Sequence, residues 1–194
     1  MTRLIIAFLS IVCVLLCVGP ASWVSAQQGS NPVDWKKELQ KARDGIEKNP
    51  KSSFWHNQAG IAYDALGDAQ NAESELTLAA NLDSTNPIGY YALYAFYQRK
   101  GTPAKQRQAL LSALENDSVN PLGHFELGGV LEKEGYLTAS LKEYHTAKSL
   151  ISEMKGGEYI DGRGNPYEIE VVRKEVDECI DRVTKLVASK RRKE

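Results

Sequence analysis

Three histidines, a single cysteine beyond residue 26 and scattered carboxylates are the residues of this chain best suited to chemistry. A zinc hydrolase needs histidines four apart around a glutamate, or cysteine pairs at short spacing. His56, His124 and His145 fit neither pattern, and no serine–histidine–aspartate order supports acyl transfer. The glycine-rich stretch GGEYIDGRGNPYE, Gly156 to Glu168, lacks the lysine–serine ending and preceding strand of a phosphate loop. Asp161 and Asn165 imitate the alternating oxygens of a calcium loop, but Arg163 lies between them and no closing glutamate follows. That stretch reads as a connector; an enzyme accessory with a site in the 156–168 loop is the least favoured alternative. Cys179 sits between Glu178 and Ile180, with no adjacent base to activate it, and reads as a core thiol; a thiol-bridged dimer is the alternative. Glu73, Glu75, Glu132 and Glu134, the last two beside Lys133, suit solvated helix faces. The basic end Lys190-Arg191-Arg192-Lys193 reads as solvated, with attraction to anionic lipid or an acidic partner as the weaker reading. No catalytic residue, metal site or cofactor is expected, and the chain reads as a non-enzyme.

The elements that carry these residues belong to an ordinary globular chain of 194 residues, 42% hydrophobic and 25% charged. A net charge of −1 gives no footprint for nucleic acid. The first 26 residues stand apart. Arg3 precedes an uncharged run, Leu4 to Val18, followed by Gly19-Pro20 and the small-residue end Val24-Ser25-Ala26. That order predicts a signal peptide over 1–26, export to a bacterial periplasm or secretion, and a short linker over 27–32. The alternative is a retained anchor that displays the rest of the chain outside, the one case in which a membrane is a partner. Cys13 and Cys17 fall within this leader, so the mature chain has no second cysteine for an internal disulfide.

Beyond the linker, glycines recur at 67, 101 and 135, a period of 34 residues. Ala79, Ala113 and Ala147 share it, as do Leu76, Leu110 and Tyr144. Asp83 returns as Asp117, and Asn86-Pro87 as Asn120-Pro121. Such a period signals one supersecondary unit stacked on copies of itself. Within the middle copy, GYYALYAFYQRKG, Gly89 to Gly101, is aromatic enough to suggest a strand. Tyr90, Leu93, Tyr94 and Tyr97 are nevertheless spaced along one face of a helix.

Period and residues together resemble the tetratricopeptide repeat. With units at 53–86, 87–120 and 121–154, the Leu-Gly/Ala pair of the family's first helix is matched by Ala59-Gly60 and Leu127-Gly128. Its aromatic is matched by Tyr63 and Tyr97, its turn glycine by Gly67, Gly101 and Gly135, and its second-helix alanines by Ala72, Ala79, Ala113 and Ala147. His56 and His124 take one repeat position two units apart, where packing is expected. The resemblance implies an all-α fold: a short right-handed solenoid of about three helix-turn-helix units with flanking caps. Tyr90 and Tyr97 are expected between units. Tyr94 stands where the family has a small residue, with Gln106 across the hairpin, and a Tyr94–Gln106 hydrogen bond is expected. Thr102-Pro103 reads as an N-cap and first-turn proline. Trp35, Leu39, Ala42 and Ile46 predict an amphipathic N-terminal cap over 33–48. Ile169, Val172, Val176, Cys179, Val183 and Leu186 predict a C-terminal cap over 169–189, joined by the 155–168 glycine-rich loop and followed by the basic tail 190–194.

The function so implied is binding of a protein or peptide in a concave groove. The groove positions of the family fall on Phe54, Asn57, Ile61 and Asp64, then Ile88, Tyr91, Ala95 and Gln98, then Leu122, Phe125, Gly129 and Glu132. Phe54, Asn57, Asp64, Tyr91, Gln98, Phe125 and Glu132 are the candidate contacts, an aromatic groove with an amide and acidic rim. Ile61 and Ala92 occupy positions where some members hold a carboxylate, so that ligand is not expected. Nothing in the sequence fixes the oligomeric state.

Overall fold

The computed structural model describes residues 33–154, 158–160 and 166–192; the leader 1–26, the linker and the Asp161–Asn165 segment lie outside the described residues. Eight helices and two short strands make up the described part: α1 (Trp35–Lys48), α2 (Ser53–Ala65), α3 (Ala69–Leu82), α4 (Pro87–Lys100), α5 (Pro103–Asn116), α6 (Pro121–Lys133), α7 (Leu137–Glu153), β1 (Glu158–Ile160), β2 (Pro166–Glu168) and α8 (Ile169–Arg191). Each helix packs against its neighbour in sequence, and α2 also meets α4.

The turns explain the period. Gly67, Gly101 and Gly135 have φ of 85°, 65° and 83°, the left-handed conformation that glycine adopts without a Cβ penalty. Each therefore ends the first helix of a unit. Between units, the recurring Asp-x-x-Asn-Pro makes a second device. Asn86 donates its amide to Asp83 Oδ2 at 3.2 Å while its own Oδ1 caps the Ile88 N–H at 3.1 Å. Asn120 repeats this, with Asp117 at 2.7 Å and the N–H groups of Leu122 and Gly123 at 3.1 Å. The proline that follows brings no N–H to satisfy and starts the helix.

Close approach within units 1 and 3 depends on glycine. A Cβ at Gly60 would lie 2.6 Å from Leu76, and one at Gly128 2.7 Å from the Tyr144 ring. The middle unit substitutes Tyr94, fully buried, whose hydroxyl reaches across to Glu126 on α6 and accepts from Gln98 Nε2 at 2.8 Å. Gln106 instead donates to the Tyr97 carbonyl at 3.2 Å, which also accepts the Thr102 N–H at 3.2 Å at the end of α4. The expected Tyr94–Gln106 bond is thus replaced by two others, because Tyr94 is long enough to pass into the next unit. Thr102 is the N-cap residue of α5, yet its hydroxyl turns back to the Tyr97 carbonyl.

The aromatic stretch is helical throughout as α4. Tyr90 and Tyr97 are half-buried against the central core. Tyr91 and Phe96, off the sequence stripe, are also buried, at 4% and 2% exposure. A middle helix has a neighbouring unit on each side, so one apolar stripe is not enough to describe it.

A histidine device recurs in units 1 and 3. His56 pairs with Glu75 Oε2 at 2.6 Å and the Pro50 carbonyl at 2.9 Å. His124 repeats it with Glu143 at 2.7 Å and the Ser118 carbonyl at 3.0 Å. Each ring ties both helices of its unit to the preceding turn. His56→Ala is expected to lower stability by about 1–3 kcal/mol, the range for removing such buried bonds, read as a lower urea midpoint.

At the ends, α1 starts at Asp34, which caps Lys37, and buries Leu39, Ala42 and Gly45. α8 buries Ile169, Val172, Val176 and Val183. Leu186, which the spacing predicts on the packed face, is 42% exposed. The connector is not wholly irregular. Glu158–Ile160 pairs antiparallel with Pro166–Glu168, Tyr159 opposite Tyr167, where the sequence predicts only a loop. Its glycines hid two runs too short to show alternation.

Candidate functional site

The candidate contacts lie on α2, α4 and α6, the first helices of the three units, the helices that the repeat resemblance assigns to the concave side. They do not form one continuous open wall. Phe54 is 56% exposed, packed edge-on to Trp55 with ring centroids 4.8 Å apart. Ile88, at 45%, stands exposed on the next unit, and Gln98 is exposed nearer the end of α4. Phe125 is half-buried, tilted against Tyr144 at 5.7 Å.

Three other assignments are corrected. Tyr91 is buried and donates to Asp117 Oδ2 at 3.2 Å; its hydroxyl sits so close to Gly123 that any Cβ there would clash. It joins units 2 and 3 and is no groove anchor. Asp64 is held by Arg99, whose Nε donates at 2.7 Å, and by Lys100 at 3.5 Å. Glu132 accepts a two-pronged bond from Arg182 at 3.0 and 2.9 Å and a third from Tyr144 at 3.0 Å. Both acids were expected on an open rim; each instead latches its unit to the next helix in the stack. Bidentate geometry makes the Glu132–Arg182 latch the firmer. Their arginine partners were missed because no period connects them: Arg99 is one residue out of register with Asp64, and Arg182 lies outside the repeats.

Around that latch, burial pushes the Tyr144 phenol and the Cys179 thiol above their ordinary values. Cys179 therefore sits as a neutral thiol, with Arg182 Nη2 3.3 Å from its sulfur. Burial, then Glu178 and Glu126, raises the Glu175 carboxyl. No group of three or more metal-binding side chains converges among the described residues, and no described helix is long and apolar enough to cross a membrane.

What remains open is the N-terminal half of the wall. Between the first turns of α2 and α4 lies a cleft of about 80 Å³ lined by Phe54, Asn57, Ala79, Asp83, Ile88 and Gly89, among others. Asn57 is 8% exposed, and its Oδ1 is buried without a hydrogen-bond partner.

Against solved structures, the chain superposes on MamA with a TM-score of 0.55 at 18% identity, over 82% of this chain and 92% of that one. The fold is tetratricopeptide-like. The tetratricopeptide-like match extends to MamA of Desulfovibrio magneticus, with a TM-score of 0.54 at 17% identity, covering 80% and 86%. It also extends to the Yersinia enterocolitica type III secretion chaperone SycD in complex with a peptide of the translocator YopD, with a TM-score of 0.55 at 15% identity, covering 73% and 93%. No family model and no curated protein matches the sequence. At these identities the tetratricopeptide-like likeness concerns the fold.

Proposed function

We propose that this protein is an exported, non-catalytic binding module that takes a peptide segment of a protein partner against α2, α4 and α6. One observation carries the reading: Phe54 and Ile88 stand exposed on adjacent first helices, on either side of a cleft, while most other large aromatics among the described residues are packed. Exposed aromatic and aliphatic side chains beside a depression are what a partner's anchors need. SycD, of like fold, was solved with a peptide bound, which supports the class of ligand.

The test is capture from membrane-fractionated native cells, comparing the wild type with a Phe54→Ser, Ile88→Ser double variant. Both positions are exposed, so circular dichroism should match between the two. A partner held by the wild type and lost by the variant supports the groove. Equal capture by both contradicts it.

Export rests on the leader alone. The protein recovered from its own cell is expected to begin at Gln27; an intact Met1 in a membrane fraction instead identifies a retained anchor, with the repeats outside.

A further inference from the structure

At the C-terminal end of the stack, the last turns of α8 lie beside the turn that opens α7. A cleft of about 440 Å³ between them is lined by Tyr136, Leu137, Ala139, Val187, Lys190 and Arg191, among others. The charge here has one sign. From Arg182 to Lys193 the sequence holds six cations and no acid. Arg182 is engaged by Glu132, and Arg192 donates to the Ala188 carbonyl at 3.2 Å, closing the end of its own helix. Lys185, Lys190 and Arg191 are exposed and form no ion pair among the described residues. On the facing turn, Glu134 is already held by Arg107 at 2.8 Å.

A helix dipole favours cations at its C-terminus, which accounts for the charge but not for its neighbours. Tyr136 is 55% exposed and Leu186 42%, next to half-buried Leu137 and Val187. Leu186 lies four residues before Lys190 and Val187 four before Arg191, so these four share one face of α8. The Tyr136 ring is fixed under the Arg107 guanidinium, 5.5 Å from its centre.

We propose that this end of the stack docks on the surface of a bilayer rich in anionic phospholipid. The unpaired cations are drawn to the negative surface, while the exposed aromatic and aliphatic tips enter the headgroup region. Tyrosine suits that boundary, with an apolar ring and a wet hydroxyl. An acidic protein segment would answer the charge alone. The surface lies apart from Phe54 and Ile88, and neither reading depends on the other.

The test follows hydrogen exchange by mass spectrometry in protein purified from its own cell. Vesicles are of phosphatidylcholine alone or with about 30% phosphatidylglycerol, at low salt. Local exchange reports this face whether or not the leader is retained. Segments spanning Gly135–Ala139 and Leu186–Arg192 are expected to exchange more slowly with the anionic vesicles only. That slowing should vanish in about 0.5 M salt. Lys190→Gln with Arg191→Gln should raise the lipid concentration required about 25-fold, at about fivefold per cation. Tyr136→Ser with Leu186→Ser should raise it by about tenfold. All four positions are exposed, so circular dichroism should match wild type. Equal slowing by both kinds of vesicle, or by neither, overturns the proposal on wild type alone. Polyglutamate that slows exchange as well as the anionic vesicles assigns the face to an acidic protein segment and also overturns it. Slowing that survives either double variant unchanged places the membrane contact elsewhere, with the same consequence.

Discussion

Tyr144→Ala is expected to destabilise the protein by about 3–5 kcal/mol, the range for emptying a large buried aromatic site. The ring is 2% exposed and fills the space left by Gly128, where a Cβ would lie 2.7 Å away. Phe125 leans on it at 5.7 Å, and its hydroxyl donates to Glu132 at 3.0 Å. Alanine would leave a void between α6 and α7 and remove one of the bonds that fix the Glu132–Arg182 latch. Tyr144→Phe separates the two effects. It keeps the volume and removes only a hydrogen bond to a carboxylate, so a loss of about 1–2 kcal/mol is expected. Urea denaturation of both variants checks this, and similar midpoints for the two would contradict a packing role for the ring.

Ending the chain at Met154 should have a larger effect still. α8 buries four aliphatic side chains, Ile169, Val172, Val176 and Val183, against the last unit. At about 1.5–3 kcal/mol each, their removal forfeits on the order of 10 kcal/mol of burial, an upper figure because unfolded chains already bury some of it. The apolar side of α7 around Ala147 and Ile151 would face water, as at any uncapped end of a solenoid. Lys148 would lose Asp177, 2.7 Å away, and Glu132 would lose its guanidinium. The truncated chain is expected to aggregate or to melt well below the intact one, by light scattering and circular dichroism. A monomer with an unchanged midpoint would show that α8 is no cap.

The fold was readable because its determinants are periodic. Turn glycines, the Asp-x-x-Asn-Pro device and the helix-contact alanines recur at 34 residues, and each does the same physical task wherever it recurs. Both flanking helices, α1 and α8, were readable from their own helical spacing. The site was less so. Phe54 and Gln98 were placed on exposed surface, while Tyr91, Asp64 and Glu132 turned out to hold units together. A repeat position says which helix face a residue occupies; it does not say whether a neighbour reaches that face. Arg99 and Arg182 do so from outside the aligned pattern. Tyr91 shows the same limit in the core: its ring is long enough to cross into the next unit, which spacing within one helix cannot reveal.

The most direct measurement places a photo-crosslinking amino acid at position 54 or 88 and, as controls, at 78 or 111 in living cells. Leu78 and Leu111 are exposed at 41% and 48%, but lie on the second helices α3 and α5, away from the proposed groove. Adducts with the same partner from 54 and 88, and none from 78 and 111, are the predicted result. Adducts arising from 78 and 111 while 54 and 88 stay silent would contradict a binding surface on the first helices.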